Sequence, residues 1–176
     1  QAKGDWKLLE ALSKKYNFKL KVLEVIKTDK SAVSSTHIRR LITGGRLKLA
    51  EHLLVKPVTV LGTVIKGASL GRELGFPTAN INPHHEVLPP SGVYAVKIFY
   101  QKKTFYGLCY IGSKPTIRNK SSQDKHVEVY IFNFRRNIYG KDLEVIFIKK
   151  IRNEKKFKNH RLLAKQINKD ALTAKQ

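Results

Sequence analysis

Methionine is absent from this 176-residue chain, which leads us to expect a fragment of something longer. Cysteine is nearly absent too. Cys109 stands alone, which excludes an intrachain disulfide and a cysteine-rich metal site. It lies in the apolar run Tyr106 to Ile111, where a small buried hydrophobe is the expected role. No apolar run approaches the roughly 20 residues that a membrane-spanning helix needs. No basic stretch followed by an apolar one opens the chain as an export signal would. These absences point to the cytoplasm and to no membrane partner.

Acidic residues are scarce: 13 Asp+Glu face 35 Lys+Arg, a net charge of +22. Residues 1–56 carry 13 basic and 5 acidic side chains, net +8; residues 57–176 carry 22 and 8, net +14. The excess is therefore spread along the chain and not gathered in one arm. A field for polyanions and a generally lysine-rich proteome account for it equally well. In either case such a surface helps to gather anionic ligands.

What is present is concentrated between Gly67 and Asn80. Gly67, Gly71 and Gly75 leave a backbone able to approach a ligand closely. Arg72 adds a permanent cation suited to phosphate oxygens. After Pro77, Thr78 and Asn80 stand two residues apart, so an extended segment puts both on one face. A hydroxyl and an amide carbonyl so placed suit Mg²⁺, which takes oxygen ligands and keeps phosphate in its shell. The plainer alternative is a Gly-rich connection followed by a strand with two solvent-facing polar residues.

Around this run the chain changes pattern. Helices are expected at 5–16 (capped by Asp5), 36–42 (ended by Gly44 and Gly45) and 47–54, with a strand at 18–26. From Val58 the runs 58–65, 92–100, 104–111, 127–134 and 143–150 read as strands separated by turn residues. Close strands without intervening helices predict an antiparallel barrel, whose closure removes exposed edges. A last helix is expected over about 159–174. The boundary falls near residue 56, and the 18–26 strand has no parallel neighbour within the chain.

Four segments carry a resemblance to one family. Gly67 to Asn80 is similar to the Gly-rich flap and Gly-Phe-Pro-Thr-Ala-Asn string of the riboflavin kinase family. Val127 to Phe132 alternates strictly, placing Glu128, Tyr130 and Phe132 on one face. With Ile138, Tyr139 and Gly140 after it, this stretch resembles the family's catalytic strand and following turn. Arg152 to Phe157 resembles the Arg-x-Glu-x-x-Phe stretch bordering the flavin, and Lys114 to Thr116 the Gly-x-Arg-Pro-Thr loop with lysine for arginine. Upstream, Ser34, Ser35, Thr36 and Arg39 resemble the phosphate-binding motif of nucleotidyltransferases, for which a simple helix cap is the alternative. In bifunctional riboflavin kinase/FAD synthetases (FMN adenylyltransferases) that motif ends the adenylyltransferase domain just before the kinase. The His-x-Gly-His element of that domain does not occur here, and His84-His85 reads as a loop pair.

The resemblance implies a mainly β fold: a closed, Greek-key-like antiparallel barrel of six strands with a C-terminal helix. It also implies that residues 1–56 are an α/β remnant of the nucleotidyltransferase domain and 57–176 the kinase domain. The implied activity is phosphorylation of riboflavin by ATP and Mg²⁺ to FMN, with adenylylation of FMN to FAD in the longer parent. Glu128 is the implied base. Gly67, Gly71, Arg72, Thr78, Asn80 and Tyr139 would hold ATP, Thr78 and Asn80 the Mg²⁺, and Arg152 and Phe157 the flavin. Tyr130, Asn133 and the Arg136-Asn137 pair depart from the residues usual in the family. The competing class is a basic β-barrel binding single-stranded nucleic acid, which needs aromatics interleaved with cations on one open strand face.

Overall fold

The chain's local grammar is clearest in its helices. The computed structural model describes residues 6–24, 27–28, 31–67, 70–113 and 125–176. It divides into two compact units, Gln1–Ser34 and Ser35–Gln176. In the first, good helix formers build α1 (Trp6–Tyr16), with Lys14 and Lys15 in the last turn facing its orphan carbonyls. Asn17 ends the helix in the left-handed region (φ 52°), and the Phe18 amide closes the last turn on the Ser13 carbonyl at 3.2 Å. Asp5, expected as the cap, lies outside the described residues, as do Val25 and Ile26. The expected 18–26 strand is not formed over residues 18–24. Alternating residues make a strand only where a neighbour takes up the backbone hydrogen bonds. The sole pairing in this unit among the described residues joins β1 (Lys27–Thr28) to β2 (Ser31–Ala32).

The second unit begins with α2 (Ser35–Thr43) and α3 (Leu47–Leu54). Gly45 takes φ 77° at the end of α2, where its amide bonds Ile42 and that of Arg46 bonds Leu41. Leu41, Ile42 and Ala50 pack into the same core as the strands that follow. The two helices thus share a core with the barrel, although the expected domain boundary lies after them.

The barrel is made by β3 (Thr59–Ile65), β4 (Thr78–Asn82), β5 (Gly92–Tyr100), β6 (Lys103–Ser113), β7 (Lys125–Ile131) and β8 (Asp142–Arg152). Its closed order is β3-β4-β7-β6-β5-β8, with every pair antiparallel. The β4–β5 and β7–β8 connections each skip to a non-adjacent strand, which gives the Greek-key character. β4 is the sixth strand, read beforehand only as an extended segment. A four-residue helical turn, α4 (Leu70–Glu73), precedes it, where only a Gly-rich flap was expected. Ala68, Ser69 and the Lys114–Thr116 loop lie outside the described residues.

Inside the barrel, Val60, Ile98, Cys109, Val129 and Val145 are fully buried. The Tyr94 hydroxyl is satisfied by the Pro90 carbonyl at 2.6 Å, and burial pushes its pKa up to about 12. Burial likewise raises the Cys109 thiol, with the nearby Glu128 charge adding to it, so it stays protonated and inert. Finally α5 (His160–Lys175) starts where Asn159 Oδ1 accepts from the Leu162 amide at 2.9 Å. It packs on β5, β6 and β8.

Candidate active site

Register decides where the polar residues go. β4 and β7 pair Thr78 with Tyr130 and Asn80 with Glu128. Alternation then sends Val127, Val129 and Ile131 inward, each no more than 4% exposed. Thr78, Asn80, Glu128 and Tyr130 are left together on the outer face. The next pairing extends the row, because Tyr110 of β6 lies opposite Glu128. The site therefore sits on the outer wall of the barrel, under α5, and not in its interior.

Two hydrogen-bonding groups flank the Glu128 carboxylate. Thr78 donates from Oγ1 to Glu128 Oε2 at 3.1 Å, and His126 Nε2 stands 3.7 Å from Oε1. One strand over, the Tyr110 hydroxyl donates to Glu154. Desolvation, and then that hydrogen bond, hold the Tyr110 phenol well above its ordinary range, so it remains a neutral donor. Phe76 meets Tyr130 edge-on at 5.5 Å, and Tyr130 meets Phe132 in the same way.

Phe76, Thr78, Asn80, Tyr110, Glu128 and Tyr130 line a cavity of about 350 Å³. Its far wall comes from α5, through Leu163, Ile167 and Asp170, and from Arg152 and Phe157. Arg152 does not hang free. Its Nε donates to Asp170 Oδ2 at 2.8 Å, and its guanidinium lies 5.6 Å from the Phe157 ring centre. Asp170 is 2% exposed and also accepts from Gln166 Nε2 at 2.8 Å. A buried carboxylate is tolerated because both oxygens are satisfied.

A second cavity of about 460 Å³ adjoins the first at Thr78, which lines both. Arg72, Arg135, Arg136, Asn137 and Tyr139 line it together with the apolar Val64, Val129 and Ile138. The glycines make the approach to Thr78 and Asn80 possible. A Cβ at Gly67 would lie 2.0 Å from Asn80 Nδ2, and one at Gly71 would lie 2.5 Å from the Phe76 carbonyl oxygen. Neither position admits a side chain without movement of its neighbours.

Glu128, Thr78, Asn80, Gly71, Arg152 and Phe157 thus line the first cavity, while Arg72, Thr78 and Tyr139 line the second. Gly67 lines neither but abuts Asn80. Ser35, Thr36 and Arg39 lie on α2 and line neither cavity; Ser34 immediately precedes that helix. His84 is a loop residue bonded to Thr63 Oγ1 at 3.1 Å. Sequence reasoning missed Tyr110, Glu154, Arg135 and Asp170. A signal for Asp170 was available: Leu163, Ile167 and Asp170 follow i, i+4, i+7, which puts a carboxylate on an apolar helical stripe.

Mg²⁺ can be tested against this chemistry. The Thr78 hydroxyl, the Asn80 amide and the Glu128 carboxylate offer hard oxygen donors from paired strands. No cluster of three His, Cys, Asp or Glu that could hold a metal occurs among the described residues. That donor set fits Mg²⁺, which is commonly held by one or two protein oxygens together with substrate phosphates.

Comparison with known proteins gives concordant matches. A family model described as flavokinase, riboflavin kinase, matches residues 54–176. The bifunctional riboflavin kinase/FMN adenylyltransferase of Haemophilus influenzae is 43% identical over 173 residues, 98% of this chain and 55% of that protein. Its Bacillus subtilis namesake is 37% identical over 150 residues, 85% of this chain and 48% of that protein. The chain spans about half the length of the curated relatives it matches. The crystal structure of a macrolide-efflux protein from Streptococcus pneumoniae superposes with a TM-score of 0.75 at 29% identity, covering 95% of this chain and 54% of that one. No helix among the described residues is long and apolar enough to cross a membrane.

Proposed function

The chain belongs to the riboflavin kinase family, and from that premise we propose how its own residues phosphorylate the 5′-hydroxyl of riboflavin with ATP to give FMN. The observation that carries the reading is the seam between the two cavities. There Thr78 touches both spaces and hydrogen-bonds Glu128. The first cavity, with aromatic and aliphatic walls, suits a flat flavin ring. The second, lined by arginines and apolar side chains, suits a nucleotide.

In this arrangement Glu128 accepts the proton of the riboflavin 5′-hydroxyl as that oxygen attacks the γ-phosphorus of ATP, and ADP leaves. Arg152 and Phe157 wall the flavin, and the Asp170 contact fixes the guanidinium. Gly67 and Gly71 leave room at Asn80 and Thr78, beside the seam that the end of the polyphosphate would reach, and Tyr139 borders the nucleotide. Thr78 and Asn80 would hold Mg²⁺, which supplies charge neutralisation on the transferring phosphoryl group. Catalysis of this kind is mostly alignment and electrostatics.

The same premise bears on the longer protein. The Ser34 to Arg39 motif and the names of the relatives support reading residues 1–56 as the end of an FMN adenylyltransferase domain, with 57–176 as the kinase domain. The parent then also converts FMN to FAD.

The strand aromatics that the nucleic-acid alternative would use are engaged by other side chains, although Tyr106 stays 56% exposed. Tyr130 is covered by Phe76, Phe134 packs between Tyr100 and Phe105, and Lys175 sits over Phe132. Thermal unfolding tests the choice. Riboflavin with MgADP at about 100 times their dissociation constants should each add about 2.7 kcal/mol of stability. Stabilisation by an oligonucleotide alone, lost steeply as salt rises, would overturn the kinase reading.

A further inference from the structure

A row of side chains crosses the outer wall of the barrel. Glu128 of β7 lies opposite Tyr110 of β6, Tyr110 opposite Val93 of β5, and Val93 opposite Arg152 of β8. Directly paired residues share a face, so the row joins Glu128 to the arginine on the far wall of the first cavity. Tyr110 is the member that reaches past its neighbour. Its hydroxyl spans β5 and donates to Glu154, just beyond the end of β8.

The Tyr110 ring has a fitted seat. It lies edge-on to the His126 ring at 5.2 Å between centres. His126 pairs across the strands with Gly112, and a Cβ there would lie 2.5 Å from the Tyr110 hydroxyl oxygen and 2.5 Å from His126 Cε1. Glycine therefore leaves the space in which the phenol lies along its own strand. With the ring so confined, aiming the hydroxyl costs little further ordering.

The acceptor belongs to a segment that is otherwise loosely tied. Residues 153–158 join β8 to α5 and are exposed, except for Phe157, which is partly buried and lines the first cavity. Among the described residues, none of 153–158 has a backbone hydrogen bond to the barrel. Glu154 is the segment's sole acidic residue, set beside Lys155, Lys156 and Lys158. Phe157 follows three positions later, with its ring centre 5.6 Å from the Arg152 guanidinium and 5.8 Å from the Lys155 ammonium.

We propose that Tyr110 is a positioning residue, whose bond to Glu154 latches the 153–158 segment to the barrel and so holds Phe157 in place for the flavin. The proposal rests on the reading of the first cavity as the flavin site. A segment tied at Glu154 presents the Phe157 ring ready-made, so riboflavin does not have to order it on arrival. Glu154 does not line the first cavity, and an effect of its substitution must reach the flavin through the segment. Neither Tyr110 nor Glu154 lines the second cavity, which leaves nucleotide binding independent of the latch.

The test compares the full 176-residue chain with Y110F, E154A, the double variant and E154Q, by calorimetric titration and steady-state kinetics. Y110F and E154A should each weaken riboflavin binding about fivefold, the size expected for one hydrogen bond. The riboflavin KM should rise accordingly, with kcat within about twofold and MgADP affinity unchanged. The double variant should lose no more than either single one, and E154Q, which keeps an acceptor, should recover most of the loss. Trypsin gives a readout that needs no ligand. In Y110F without flavin, cleavage after Lys155, Lys156 and Lys158 should quicken about fivefold, because the unlatched segment is open more often. Unchanged cleavage, additive losses in the double variant, or an equal loss of MgADP affinity would overturn the latch. Faster cleavage with unaltered riboflavin affinity would overturn its positioning role. If cleavage quickens but the unsubstituted chain binds no riboflavin, the latch stands and the flavin reading fails.

Discussion

Replacing Glu128 by glutamine should lower kcat for FMN formation by about 10²–10⁴-fold, the usual worth of a positioned general base. The KM values for riboflavin and MgATP should change little. Glutamine keeps the shape of the side chain and an oxygen that can still accept from Thr78 Oγ1, a bond of 3.1 Å in the parent. It cannot take up a proton at neutral pH. Steady-state kinetics with titrations of both substrates separate the two effects. A variant that retains kcat within a few-fold removes Glu128 from the proton transfer, however well placed it is at the seam.

Asp170→Ala should be the most damaging substitution outside the seam. It strips the partner from Arg152 and leaves the Gln166 amide without its acceptor, beneath a helix whose Asp170 site is 2% exposed. Breaking a buried pair from one side costs about 3–5 kcal/mol. The Arg152 side chain keeps 20% exposure, so the lower end of that range applies. At roughly 2–4 °C per kcal/mol for a chain of this size, the unfolding midpoint should fall by about 6–12 °C. Asp170→Asn retains an acceptor oxygen and should lose less. On the proposed assignment of the first cavity to the flavin, riboflavin affinity should fall together with stability in the alanine variant, because Arg152 and α5 both wall that cavity. A midpoint within about 2 °C of the parent would show that Arg152 finds solvent or another partner.

Much of the site was legible because its signals are local. The spacing of Thr78 and Asn80 and the alternation from Val127 to Phe132 each fix a face without knowledge of the fold. The glycines that end α2 are a local signal of the same kind. The strand Gly92–Tyr100 and helix α3 lie where their patterns place them. What sequence could not supply is the pairing. Nothing local says that β4 docks on β7 in the register that sets Asn80 opposite Glu128, or that Tyr110 extends the row. The same dependence explains the error at 18–24, where alternation met no partner strand. It also explains the missed contact between Arg152 and Asp170, which joins residues 18 positions apart across a strand–helix junction. The helical turn at Leu70–Glu73 was hidden by glycine-rich composition, which argues against a helix on propensity alone.

Transfer of phosphate from γ-labelled ATP to riboflavin, resolved by chromatography of the flavins, addresses the central claim most directly. The unsubstituted chain with Mg²⁺ should release labelled FMN and ADP in equal amounts. Label appearing only as inorganic phosphate, or no turnover while both substrates are shown to bind, would contradict it.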